Sequence, residues 1–162
     1  MFNNIIVGYD GSEGSRAALD RAVDLMKLQF DTKLVVAYVN EDVIGGDPAY
    51  TGEPLIATSV IADMTTAPSV DPDLNSPRQL AREYATQMTE FIQMQFDKHH
   101  IEGQIIAIEG HPVQALCELA AEQHADAILV GNSGKSGFQK FFVGSVSEKL
   151  VKESPCSVVV VK

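Results

Sequence analysis

The chain has no tryptophan, only two cysteines and no long apolar run, and each shortage removes a class of protein. Cys117 and Cys156 are too few to staple a fold, and without a C-x-x-C pair they give no zinc site. No stretch approaches the roughly 18 consecutive apolar residues that a membrane span requires. The opening Met1-Phe2-Asn3-Asn4-Ile5 carries neither a basic segment nor a long apolar one, so no signal peptide is expected and the expected location is cytoplasmic. Basic residues are scarce as well: 12 Lys and Arg stand against 22 Asp and Glu, a net charge of −10. Such a surface repels a phosphate backbone, so neither nucleic acid nor membrane is an expected partner. The imbalance is local, however. Between Asn40 and Ser76 lie Glu41, Asp42, Asp47, Glu53, Asp63, Asp71 and Asp73 with no Lys or Arg, so the remainder is nearly neutral and open to a small anionic ligand.

What remains is 162 residues, 45% of them apolar, enough for the core of a single domain spanning 1–162 with one insertion. Short β-branched runs alternate with longer amphipathic stretches. Strands are expected at Asn4–Tyr9, Lys33–Val39, Gln104–Ile108, Ala127–Val130 and Ser157–Val161. Between them, Ser12 caps a first helix running to about Gln29, and Ser76-Pro77-Arg78-Gln79 forms a capping box that opens a long helix ending near His99-His100. Pro112 opens a third helix, and a fourth runs from about Ser145 to Lys152. The helix-terminal histidines suit the negative end of a helix dipole. Strands that are apolar throughout are covered on both faces, and intervening helices make the sheet parallel. The expected fold is a doubly wound α/β domain with five strands. Residues 40–76, with Pro48, Pro54, Pro68 and Pro72, interrupt the alternation as an acidic insertion whose apolar run at 55–62 is expected to pack on the domain or on a second subunit.

A parallel sheet binds its ligand beyond the carboxyl ends of the strands, where the winding reverses. For the order 3-2-1-4-5 that point lies between strands one and four. Strand one ends in Tyr9-Asp10-Gly11-Ser12; strand four ends in Val130-Gly131-Asn132-Ser133-Gly134-Lys135, and Gly144-Ser145-Val146-Ser147 opens the next helix. Glycines let main-chain N–H groups approach an anion, and a helix start presents unsatisfied N–H groups with a positive dipole end. Ser145 and Ser147 add hydroxyls, Lys135 and Lys140 flank the loop, Asp10 suits ribose hydroxyls or an adenine amine, and the main chain of Val39 can meet the edge of a base. These parts fit a nucleotide. A Walker A loop is excluded because its first glycine would fall at Leu129 inside a strand, and the dinucleotide fingerprint is excluded because its glycines are missing after strand one.

The spacing that survives is Gly131-x2-Gly134-x9-Gly144-Ser145, which resembles the ATP-binding signature G-x2-G-x9-G-(S/T) of the universal stress protein family. Ile5-Ile6-Val7-Gly8-Tyr9-Asp10-Gly11-Ser12, Gly110-His111-Pro112, Ala125–Gly131 and Pro155–Val160 resemble further segments of that family, so the likeness covers nearly all of the chain outside 40–76. The resemblance implies the strand order 3-2-1-4-5, a homodimer, and ATP (or ADP or AMP) with Mg or Mn on its phosphates. It implies nucleotide contacts at Asp10, the main chain of Val39, Gly131, Gly134, Gly144, Ser145, Val146 and Ser147, with Tyr9, Gly11, Ser12, Val130 and Lys135 as weaker candidates; metal ligands stay unassigned. The implied role is a nucleotide-dependent binding module of the stress response. The alternative is an enzyme, a slow ATP hydrolase or a phosphoryl or nucleotidyl transferase, for which no catalytic residue stands out. An all-valine final strand at a sheet edge, Ser157 to Val161, is the expected dimer seam.

Overall fold

The structure is a computed structural model, and it describes residues 2–29, 31–40, 77–132 and 144–162. Most of the acidic insertion, with its apolar run, lies outside these residues, as do Gly134, Lys135 and Lys140. The elements are β1 (Asn4–Tyr9), α1 (Glu13–Leu28), β2 (Lys33–Asn40), α2 (Pro77–His99), β3 (Gln104–Glu109), α3 (Pro112–Glu122), β4 (Ala127–Gly131), α4 (Ser145–Glu153) and β5 (Ser157–Val161). The strands form one parallel sheet in the order β3-β2-β1-β4-β5, as expected.

The continuous apolar character of the central strands has the anticipated cause. Alternate residues feed two cores, one on each face of the sheet. Ile5, Val7 and Tyr9 of β1 join Leu34, Val36 and Leu129 under α1 and α2, where Leu19, Val23, Ile92 and Phe96 close the layer. Ile6 of β1 joins Val35, Ala37, Ile128 and Val130 under α3 and α4, closed by Val113, Leu116 and Leu150. Cys117 and Cys156 are half-buried at the margin of this second core, and burial raises the Cys117 thiol above its ordinary pKa. At roughly 25 cal/mol per Å2, burial on both faces is the main source of stability.

The histidines at the helix ends have a more specific role than a dipole partner. His100 (φ 53°) and His124 (φ 50°) are the only non-glycine residues with positive φ among those described. Each closes the C-terminus of a helix in a Schellman motif, His100 directly after α2 and His124 directly after the Gln123 C-cap of α3. Ile101 N–H donates to the carbonyl of Phe96 at 3.1 Å and His100 N–H to that of Asp97 at 3.2 Å; Ala125 and His124 repeat the pattern on Ala120 and Ala121 at 2.9 and 3.3 Å.

Asp126 binds the start of the sheet together. Its Oδ2 accepts from Asn3 N–H at 2.6 Å and Asn4 N–H at 2.9 Å. Its own N–H donates to the Asn4 carbonyl at 2.8 Å, and its carbonyl accepts from Ser157 N–H at 3.2 Å. One residue therefore ties β1, β4 and β5 at their amino ends, leaving the opposite end free for a site.

Candidate functional site

At the carboxyl end of β1 the chain turns sharply into α1. Asp10 Oδ1 accepts from the Ser12 N–H at 3.0 Å, an Asx turn. Ser12 then caps the helix, its hydroxyl accepting from Ser15 N–H at 3.2 Å, while Ser15 Oγ donates back to the Ser12 carbonyl at 3.0 Å. Gly11 makes the turn possible with φ +80°. A side chain there would also strike α2: a Cβ would lie 2.7 Å from Met88 Sδ and 3.0 Å from the Tyr84 hydroxyl. That hydroxyl donates to the Asp10 carbonyl at 3.3 Å. Asp10 is half-buried, and among the described residues its Oδ2 accepts no hydrogen bond.

β4 lies next to β1, with Val7 opposite Leu129, so its end faces the same opening. Asn132 follows, and closes the base of the loop that leads to α4. Its N–H donates to the Val161 carbonyl of β5 at 2.8 Å, and its carbonyl accepts from Gly144 N–H at 2.6 Å. Gly144 is thereby fixed as the N-cap of α4, and its carbonyl takes the first intrahelical bond, from Glu148 N–H at 2.9 Å. Glycine has no side chain with which to cap, so the N–H groups of Ser145, Val146 and Ser147 have no side-chain cap. Ser145 is exposed beside them.

The two strand ends therefore bring Asp10, Gly11, Ser12, Gly131, Gly144 and Ser145 to one end of the sheet, and β2 ends alongside, with Tyr9 paired to Tyr38 and Val39 opposite Ile108. Other candidates face elsewhere. Tyr9 is buried against α2, its ring stacked on Phe91 at 6.3 Å, and burial raises its hydroxyl above the ordinary pKa. Val130 points into the second core, and Val146 packs at its margin with only its main chain available. Ser147 is buried and its hydroxyl donates to the Gly144 carbonyl at 2.9 Å, so its main-chain N–H, and not its side chain, remains for a ligand. Asn132 and Tyr84 were not evident from the sequence. Asn132 acts through its main chain, which leaves no compositional trace, and Tyr84 comes from a helix far along the chain.

Chemically, the site offers main-chain donors at the positive end of a helix, one carboxylate, and glycine-bordered access. Among the described residues no group of three or more His, Cys, Asp or Glu is placed to hold a metal ion. Comparison with known proteins adds the following. The model of the universal stress protein family matches residues 1–52 and 47–162. The stress response protein NhaX of Bacillus subtilis is 34% identical over 170 residues, covering 99% of this chain and 98% of NhaX. Among solved structures, a universal stress protein UspA from Lactobacillus plantarum superposes with a TM-score of 0.72 at 20% identity, covering 99% of this chain and 97% of that one. A universal stress protein family protein from Arabidopsis thaliana, with AMP bound, superposes with a TM-score of 0.66 at 15% identity, covering 99% of this chain and 91% of that one.

Proposed function

Because this chain belongs to the universal stress protein family, we propose that it is a cytoplasmic regulatory module of the stress response that binds ATP and acts as a homodimer. The observation that carries the reading is that the glycine-capped start of α4 and the half-buried carboxylate of Asp10 lie at the same end of the sheet, where its winding reverses. Three consecutive N–H groups without a side-chain cap, at a positive dipole end, favour a polyanion. A carboxylate at the same end of the sheet favours a neutral hydroxyl or amine at the far end of the same ligand. A nucleotide has that polarity.

In this reading the N–H groups of Ser145, Val146 and Ser147 and the hydroxyl of Ser145 take the phosphates, together with Gly131, Gly134 and Lys135. Asp10 accepts from a ribose hydroxyl, and the main chain of Val39 meets the adenine edge. Mg2+ or Mn2+ travels with the phosphates, whose oxygens and water are its natural ligands. The intact G-x2-G-x9-G-S spacing supports ATP binding, and an AMP-bound relative in fold supports an adenine nucleotide. The homodimer reading rests on β5, an edge strand of serine and valines.

Calorimetry with ATP and magnesium tests the site. Heat of association is expected for the wild-type protein, with affinity weakened on the order of tenfold or more in Asp10→Ala, the equivalent of one hydrogen bond to a charged group. Well-folded protein giving no heat with ATP, ADP or AMP would overturn the reading.

A further inference from the structure

The first glycine of the signature has a neighbour that no phosphate reading requires. A Cβ built on Gly131 would overlap the backbone of Gly14 in the first turn of α1, lying 2.7 Å from both its Cα and its carbonyl oxygen and closer still to its carbonyl carbon. Such separations are well inside van der Waals contact, and the atoms met are backbone, which a rotamer change cannot move aside. Gly131 has no positive φ to explain its identity, unlike Gly11 and Gly110. Gly14 is the second residue of α1, four positions after Asp10. The intervening turn is stiff: the Asx bond from Ser12 N–H, the Ser12 cap on Ser15 and the first helical bond, Arg16 N–H to the Ser12 carbonyl at 3.0 Å, fix Asp10 to α1.

We propose that Gly131 is a positioning residue, the seat on which the first turn of α1 rests, and that through this contact the end of β4 sets where Asp10 stands relative to the start of α4. The glycine at 131 is then required by the fold itself, whether or not a phosphate passes beside it. A larger residue at 131 moves α1 outward and takes the Asp10 carboxylate with it. The role in ligand recognition rests on the nucleotide reading above; the packing role does not.

The experiment is Gly131→Ala, measured first without any nucleotide. Its thermal midpoint is expected to fall by roughly 3–10 °C, the range for overpacking in a chain of this size, with amide NMR shifts displaced at Ser15 and Arg16. Failure to fold without ligand supports the proposal equally, because a glycine needed only by a ligand is dispensable in its absence. An unchanged midpoint with undisplaced Ser15 and Arg16 amides overturns it. In the second arm, affinities for adenosine and for ATP are compared. A misplaced Asp10 weakens both by a similar factor, on the order of tenfold. Loss of ATP affinity with adenosine affinity retained means that Asp10 has not moved, and overturns the positioning role. Wild-type protein that binds neither ligand sinks the nucleotide reading and leaves the first arm to decide the packing role.

Discussion

Tyr9 places a hydroxyl in the core with no hydrogen-bond partner among the described residues. The Arg16 guanidinium, which lies over the Phe91 ring, meets no hydrogen-bond geometry with that hydroxyl but still draws its pKa down through a loose polar contact and its charge; burial outweighs both and the pKa stays raised. An unsatisfied buried hydroxyl costs about 1–3 kcal/mol, so Tyr9→Phe is expected to raise the unfolding free energy by about 1 kcal/mol in urea denaturation. A loss of similar size would mean that the hydroxyl is satisfied after all. His100 and His124 present the opposite situation, side chains where glycine is preferred. Changing either to Gly removes left-handed strain of roughly 1–2 kcal/mol at the cost of a more flexible unfolded chain. The net gain expected is about 0.5–1 kcal/mol each in urea denaturation; no gain in either variant would refute the strain argument.

Among the elements, the attachment of β1 to β4 depends on charge. The N–H groups of Asn4 and Asn3 hold the Asp126 carboxyl below its ordinary value of 3.8. A depressed folded-state pKa means that folding favours the ionised form. The contribution is complete above the unfolded value and is lost as pH falls through the lower, folded one. Stability of the wild-type protein should therefore drop, as pH falls below the ordinary value of 3.8, more steeply than that of Asp126→Asn, which should already be weaker at pH 7. Parallel acid profiles for the two proteins would show that Asp126 is not linked to folding. At the other end of the sheet, α2 fixes the β1–α1 turn through Tyr84 and Met88, which close over Gly11. An element far along the chain thus stiffens the turn that carries Asp10.

For the whole molecule, the doubly wound sheet leaves β3 and β5 as its edges. The proposed dimer through β5 makes stability a function of concentration, since association stabilises the folded state by mass action. The thermal midpoint is expected to rise with protein concentration across the micromolar range, alongside a dimer in sedimentation velocity. A concentration-independent midpoint with a sedimenting monomer would contradict the dimer. With a net charge of −10, an anionic ligand must be received by a local field opposed to the global one. The uncapped start of α4 supplies such a field at short range, where salt screens it least.

The amino-acid sequence by itself determined the elements, because apolar runs of strand length, amphipathic helices and start signals such as the Ser12 cap and Pro112 in the first turn of α3 act through near neighbours in the chain. It also carried the spacing from Gly131 to Ser145, whose glycines are legible wherever they fall. Only the tertiary structure decided which groups meet across the fold: Gly131 with Gly14, Tyr84 with the Asp10 carbonyl, the Asn132 carbonyl with Gly144, and Asp126 with the start of β1. Contacts of this kind join residues far apart in the chain, several of them through main-chain atoms that every residue shares. They leave no periodicity to read, and so appear only once the sheet has brought the strand ends together.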